Sequence, residues 1–214
     1  MRLPQETTAM RTDTAIITML VASFAACSPT TDEAAPAETA EAAAAPTAAF
    51  GAGENVSPFA IGSLQAASLR DAAFAPANDN MTLAINVTKA DVDALLTAAG
   101  LATDVLQLSV QPLIVRTPDR VLLFDTGNGP SGMLSASMAT AGVEPAEVTD
   151  IFISHSHGDH VNGLVDADGA LAFPNADIHI SVNEWAAMQV NVQLASRVTA
   201  ISPRVVAFEP GADR

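Results

Sequence analysis

Hydrophobic and polar positions change rhythm several times along this chain, and each change predicts an element. Phe59–Leu69 reads as a first strand pair, and Ala77–Asn80 as a polar turn. Thr88, with Asp91 three residues on, predicts a helix start; Val92, Leu95, Leu96 and Ala99 form its apolar stripe and Gly100 its end. Leu106, Leu108 and Val110 alternate with Gln107, Ser109 and Gln111, the period of a half-exposed strand. Leu113–Arg116 continues as strand, Thr117–Arg120 turns, and Val121–Phe124 returns as its hairpin partner. A helix follows over 131–141, with Leu134, Met138 and Ala141 on one face and Gly142 closing it; Pro145 opens a second, short one. Ile151-Phe152-Ile153 is a continuous apolar run, the pattern of a strand covered on both faces. Ala170–Phe173 and Ile178–Ile180 read as a hairpin turning at 174–177. Ser181 and Glu184 have the spacing of a capping box, with Trp185 and Met188 on the buried side of the helix it starts. Arg204–Phe208 is a last strand.

The first 55 residues follow none of these rhythms. Ala15–Ala26 is apolar over the length of a signal-peptide core, too short to span a bilayer, with Arg2 and Arg11 ahead of it. It ends Ser23-Phe24-Ala25-Ala26-Cys27. This resembles a bacterial lipobox, with Cys27 as the lipidated residue; a plain secretory signal cleaved near Ala26 is the alternative. Residues 28–55 are mainly Ala, Pro, Thr and acidic side chains, a composition that buries too little surface to offset chain entropy. The expected organisation is therefore a signal segment at 1–27, a tether at 28–55 and a folded domain at 56–214. The expected location is the periplasmic side of a bacterial membrane, lipid-anchored, or secreted.

Composition narrows the picture. Hydrophobic residues make up 49% of the 214, enough for a core, but aromatics only 4% with no Tyr, so that core rests on aliphatic side chains. The net charge of −15 repels phosphate backbones and anionic lipid; the expectation is no nucleic-acid partner, and a membrane reached only through the N-terminal anchor. With Cys27 as the single cysteine, an intrachain disulfide is excluded, as is a thiolate site in the folded domain.

Candidate chemistry concentrates after the apolar run 151–153. His155 and His157 are two apart, so a strand continuing to them points both imidazoles the same way. Gly158 allows a sharp turn that brings Asp159 and His160 back to them. Three imidazoles and a carboxylate within six residues are an N/O donor set of the kind that suits zinc.

The pattern His155-x-His157-x-Asp159-His160 resembles the signature of the metallo-β-lactamase-fold hydrolases. Val121-Leu-Leu-Phe-Asp125-Thr126-Gly127 looks like that family's strand ending in Asp-Thr-Gly, and Val161-Asn162-Gly163-Leu164 like the segment after its metal motif. Leu171–Ala176 with the following strand and helix is similar to the secreted lactonase and organophosphate-hydrolase branch. The resemblance, over roughly 59–214, implies an α+β fold, the N-terminal half of an αββα sandwich. It implies two zinc ions in the complete protein, His155 and His157 on the first and Asp159 and His160 on the second. Asp159 also orients the nucleophile or receives its proton, and Asp125 holds the histidine loop from behind. The implied reaction is attack of zinc-bound hydroxide on a small-molecule ester, lactone or phosphotriester. Two-metal members draw on more histidines than the four present here, and their further ligands come from a downstream loop that the run Val205–Gly211 resembles the approach to. The fourth, His179, reads as a solvent-facing strand residue or, less simply, a substitute ligand. The chain as given is thus expected to be an inactive fragment of a hydrolase. The alternative is a non-catalytic tethered module that binds metal or a partner. Oligomeric state is not legible.

Overall fold

The structure is a computed structural model that describes residues 49–211. The signal segment, Cys27 and most of the tether lie outside the described residues. The last of the tether does not: Phe50 is buried at 4% exposure, its ring lies under the Arg116 guanidinium, and Gly51 N–H donates to the Ala141 carbonyl. The folded unit therefore includes residues 50–55, because one aromatic side chain in an otherwise small-residue stretch found a place in the core.

In chain order the elements are β1 (Val56–Ile61), β2 (Leu64–Leu69), β3 (Ala72–Phe74), α1 (Lys89–Ala98), β4 (Leu108–Val110), β5 (Leu113–Arg116), β6 (Val121–Phe124), α2 (Leu134–Ala141), β7 (Asp150–Ile153), α3 (Gly158–Val161), β8 (Asp177–Ser181), α4 (Val182–Val190), α5 (Ala195–Ile201) and β9 (Val205–Phe208). Among the described residues, seven strands form one sheet in the order β1-β2-β5-β6-β7-β8-β9, and β3 pairs with β4 separately. The β1-β2-β5-β6 part is antiparallel; β6, β7, β8 and β9 run parallel. Parallel neighbours end at the same edge, so the loops leaving β6, β7 and β8 cluster there.

Strand side chains alternate between the two faces, and the register fixes which residues share one. Ala67, Ile114, Leu123, Ile151 and Ile178 stand in one row across the sheet. All are almost wholly buried, against Leu134 and Met138 of α2, Met188 of α4 and Ile201 of α5. Each large aliphatic side chain so placed contributes about 1.5–3 kcal/mol. The opposite face carries the row Phe124, Phe152, His179 and Val206, of which Phe124 and Val206 are more than a third exposed. One sheet with helices on one face is the α-β half of the expected α-β-β-α arrangement.

Three local expectations change. Residues 170–173 do not form a hairpin with β8. Leu171 makes one isolated bridge to Val165, and β8 pairs in parallel with β7, so the chain between them is a crossover and not a turn. The stripe on α1 is mostly unburied: Val92 packs, but Leu95 is 73% exposed. The strand expected from Leu106 starts only at Leu108 and joins β3, while Gln111-Pro112 separates it from β5.

Candidate metal centre

The centre lies where β6 and β7 end. Strand β7 stops at Ile153, so His155 and His157 do not project from a strand as their spacing suggested; they sit in the loop 154–157. Their convergence is nevertheless close. Nε2 of His155 and Nδ1 of His157 are 3.2 Å apart, and the His155 and His160 ring centroids are 3.8 Å apart. Gly158 begins α3, and a Cβ there would meet the Asn162 side-chain amide at 3.0 Å. A helical turn, and not a left-handed glycine, therefore brings Asp159 and His160 back, with His160 Nε2 3.4 Å from Asp159 Oδ2.

Asp125 organises this loop. It ends β6 in the left-handed region at φ 61°, a conformation that Asp tolerates better than most residues. From there Oδ1 accepts the Ser154 backbone N–H at 2.8 Å, and Oδ2 accepts the Ser154 hydroxyl at 2.8 Å. Oδ2 also accepts from Nδ1 of His160 at 2.8 Å. The Ser154 oxygen, its proton committed to Asp125, lies 3.1 Å from Nδ1 of His155 as an acceptor. Both imidazoles thus carry their proton on Nδ1 and present Nε2 as a lone pair.

Backbone contacts lock the frame. Thr126, wholly buried, donates both N–H and hydroxyl to the His160 carbonyl, each at 2.8 Å. Gly163 packs so tightly beneath it that a Cβ would lie 2.0 Å from the Thr126 carbonyl oxygen. The segment after Asp125-Thr126-Gly127 rests on Asp71, which was not singled out from the sequence. Asp71 is 1% exposed and accepts from the Asn128 backbone at 2.7 Å, the Asn128 amide at 2.8 Å and the Leu134 backbone at 2.9 Å. What marked it in the sequence was a lone acidic residue following the apolar strand β2.

On the other side Glu184 accepts the Ser156 backbone N–H at 2.9 Å. Its hydrogen bond with the Ser156 side chain holds its carboxyl below the usual range, against the opposing effect of burial, and the Ser156 backbone N–H reinforces that bond. His179 is not solvent-facing. It is 13% exposed, bonded through Nε2 to Asp150 at 2.9 Å, and stacked on Phe152.

A cavity of about 150 Å³ lined by Ser109, Gln111, Asp125, Asp159 and His160 opens onto the centre. A larger cleft of about 360 Å³ lies between α2 and residues 163–173, but it holds none of the histidines and is mainly apolar. The titratable groups decide between them in favour of the smaller.

The donor set can be tested against a metal. Zinc–nitrogen bonds of about 2.0–2.1 Å at a tetrahedral angle put two ligand nitrogens about 3.3 Å apart. The 3.2 Å between His155 Nε2 and His157 Nδ1, a hydrogen-bond contact between the two rings, is close to that edge. Ligand count is the shortfall: among the described residues no three His, Cys, Asp or Glu side chains are arranged to hold one ion. The centre offers its ligands in pairs.

A parallel sheet edge carrying this His-x-His-x-Asp-His loop, braced by a strand-ending Asp, is an arrangement of the metallo-β-lactamase fold type. Residues 107–193 match the family model of the metallo-beta-lactamase superfamily. Among solved structures it is similar to AidC, a dizinc quorum-quenching lactonase in complex with a product, N-hexnoyl-L-homoserine, at 25% identity and a TM-score of 0.68 over 75% of this chain and 63% of that one. The hydrolase AbOPH, in the beta lactamase superfamily, shares the fold at 21% identity and a TM-score of 0.61, over 78% of this chain and 64% of its own. Among curated proteins, ribonuclease Z of Methanothermobacter thermautotrophicus is 44% identical over 52 residues, which are 24% of this chain and 16% of that protein. Ribonuclease Z of Salinibacter ruber is 42% identical over 76 residues, 36% of this chain and 22% of the relative. The chain therefore spans less than two thirds of the length of each of these proteins.

Proposed function

We propose that this chain carries the first metal-binding half of a metal-dependent hydrolase acting on a small-molecule ester, lactone or phosphotriester. The observation that carries the reading is the pair of imidazole nitrogens, His155 Nε2 and His157 Nδ1, at ligand spacing. Zinc ions, when bound, would acidify water and polarise the oxygen under attack. His155 and His157 would hold one ion, and Asp159 and His160 a second. Asp159, 45% exposed at the cavity, is free to orient a nucleophile or receive its proton. Asp125 and Ser154 keep the proton of His155 and His160 on Nδ1, so Nε2 faces the centre. Catalysis needs about three protein ligands on a zinc with an open position. In this reading the ligands beyond each pair come from outside the described residues.

The pairwise arrangement also favours a second reading, a tethered module that binds metal or a partner without catalysis. The periplasmic, lipid-anchored or secreted location and the lipidation of Cys27 remain part of the proposal, as does the absence of a nucleic-acid partner. The net charge of −15 supports that absence. The likeness to two ribonuclease Z proteins stands in tension with it, though it spans at most 22% of either.

The test is metal analysis and hydrolysis by the full-length protein on esters, lactones, phosphotriesters and RNA, with and without chelator. Chelator-sensitive turnover of one small-molecule class, abolished by His157→Ala, is the expected result. Two bound zinc ions with no hydrolysis would leave the binding-module reading in its place, and RNA cleavage would overturn the substrate class.

A further inference from the structure

The loop 154–157 lies between β7 and α3 and has no strand ladder of its own. Two of its N–H groups are held by carboxylates from different elements. Ser154 N–H goes to Asp125 at the end of β6, and Ser156 N–H goes to Glu184 in the first turn of α4. Ser156 is the residue between His155 and His157. The sequence placed Glu184 in a capping box with Ser181, and half of that box forms: Ser181 Oγ accepts the Glu184 N–H at 3.3 Å. The carboxylate does not fold back. Because β8 runs parallel to β7 and leads directly into α4, the start of α4 lies at the same sheet edge as the histidine loop, and Glu184 reaches across to it.

We propose that Glu184 is a positioning residue of the metal centre. Its carboxylate pins the backbone between His155 and His157 at their ligand spacing and sets a negative charge beside both imidazoles, so that the pair binds a divalent cation more tightly. The inference rests on the metal-centre reading above. Outer partners of metal ligands act in this way, fixing orientation and raising ligand basicity, and their loss weakens metal binding about 10–100-fold.

The experiment uses the full-length protein and cobalt(II), whose visible absorption reports ligand geometry. Cobalt affinity is measured by chelator competition for the wild type, Glu184→Ala, Glu184→Gln and Ser181→Ala, alongside urea unfolding without metal. Glu184→Ala is expected to lose about 10–100-fold in affinity with an altered spectrum. Glu184→Gln, which keeps an acceptor for Ser156 but not the charge, is expected to recover the spectrum and only part of the affinity. Ser181→Ala removes the helix cap alone; it is expected to lower the urea midpoint and leave cobalt affinity unchanged. Wild-type affinity in both Glu184 variants would overturn the proposal, as would an equal loss in Ser181→Ala. No cobalt binding by the wild type would instead overturn the metal-centre reading itself.

Discussion

Asp125 Oδ2 accepts from Nδ1 of His160 at 2.8 Å, across the gap between the ends of β6 and α3. The same carboxylate holds Ser154 through backbone and hydroxyl. One side chain therefore sets the orientation of His160 and, through Ser154, that of His155. Asp125→Asn replaces an acceptor-only group with one that offers a donor to two donors. Metal affinity is expected to fall about 10–100-fold, read by chelator competition. Unchanged affinity would show that the ring orientation is set elsewhere.

Asp71 is the corresponding support on the far side of the Asp-Thr-Gly turn. Asp71→Ala would leave the part-buried Asn128 N–H and the buried Leu134 N–H without their acceptor. A loss of about 2–4 kcal/mol in urea unfolding is expected, since each stranded donor costs about 1–3 kcal/mol. Gly132 packs on the same carboxylate, where a Cβ would lie 2.0 Å from Asp71 Oδ1. Gly132→Ala is accordingly expected to destabilise as well, and a neutral effect of both substitutions would deny Asp71 this role.

Asp150 gives the fold an acid-sensitive point. Burial opposes its ionisation, but hydrogen bonds from Thr149 and His179 and the charges of Arg120 and His179 outweigh it, and its carboxyl is held below the usual value. A carboxyl lowered on folding contributes stability that is present above its unfolded pKa of about 3.9 and lost as pH falls through the lower folded value. Stability measured from pH 6 down to pH 2 is expected to decline below about pH 4, and Asp150→Asn to flatten part of that decline. An unaltered slope in the variant would place the acid sensitivity elsewhere. Arg120 is 57% exposed, so solvent screens its share, and Thr149 and His179 carry more of the effect.

Much of this protein was legible without coordinates because its signals are local. The apolar run 151–153, the hairpin Leu113–Phe124, the Thr88 cap and the Gly142 stop each depend on residues a few positions apart, and backbone period or turn chemistry reads them directly. Tertiary structure decided the rest, because it depends on which distant groups compete for a partner. Spacing suggested a hairpin at 170–180, yet β8 pairs in parallel with β7, and Ile178 and Ile180 are buried there. Spacing sent Glu184 back to its own helix start, and the fold offered it Ser156. Asp71 became a buried acceptor for a loop more than fifty residues away, and His179 an internal partner of Asp150. A carboxylate takes the donors that the assembled sheet brings within about 3 Å, and sequence distance does not rank those donors.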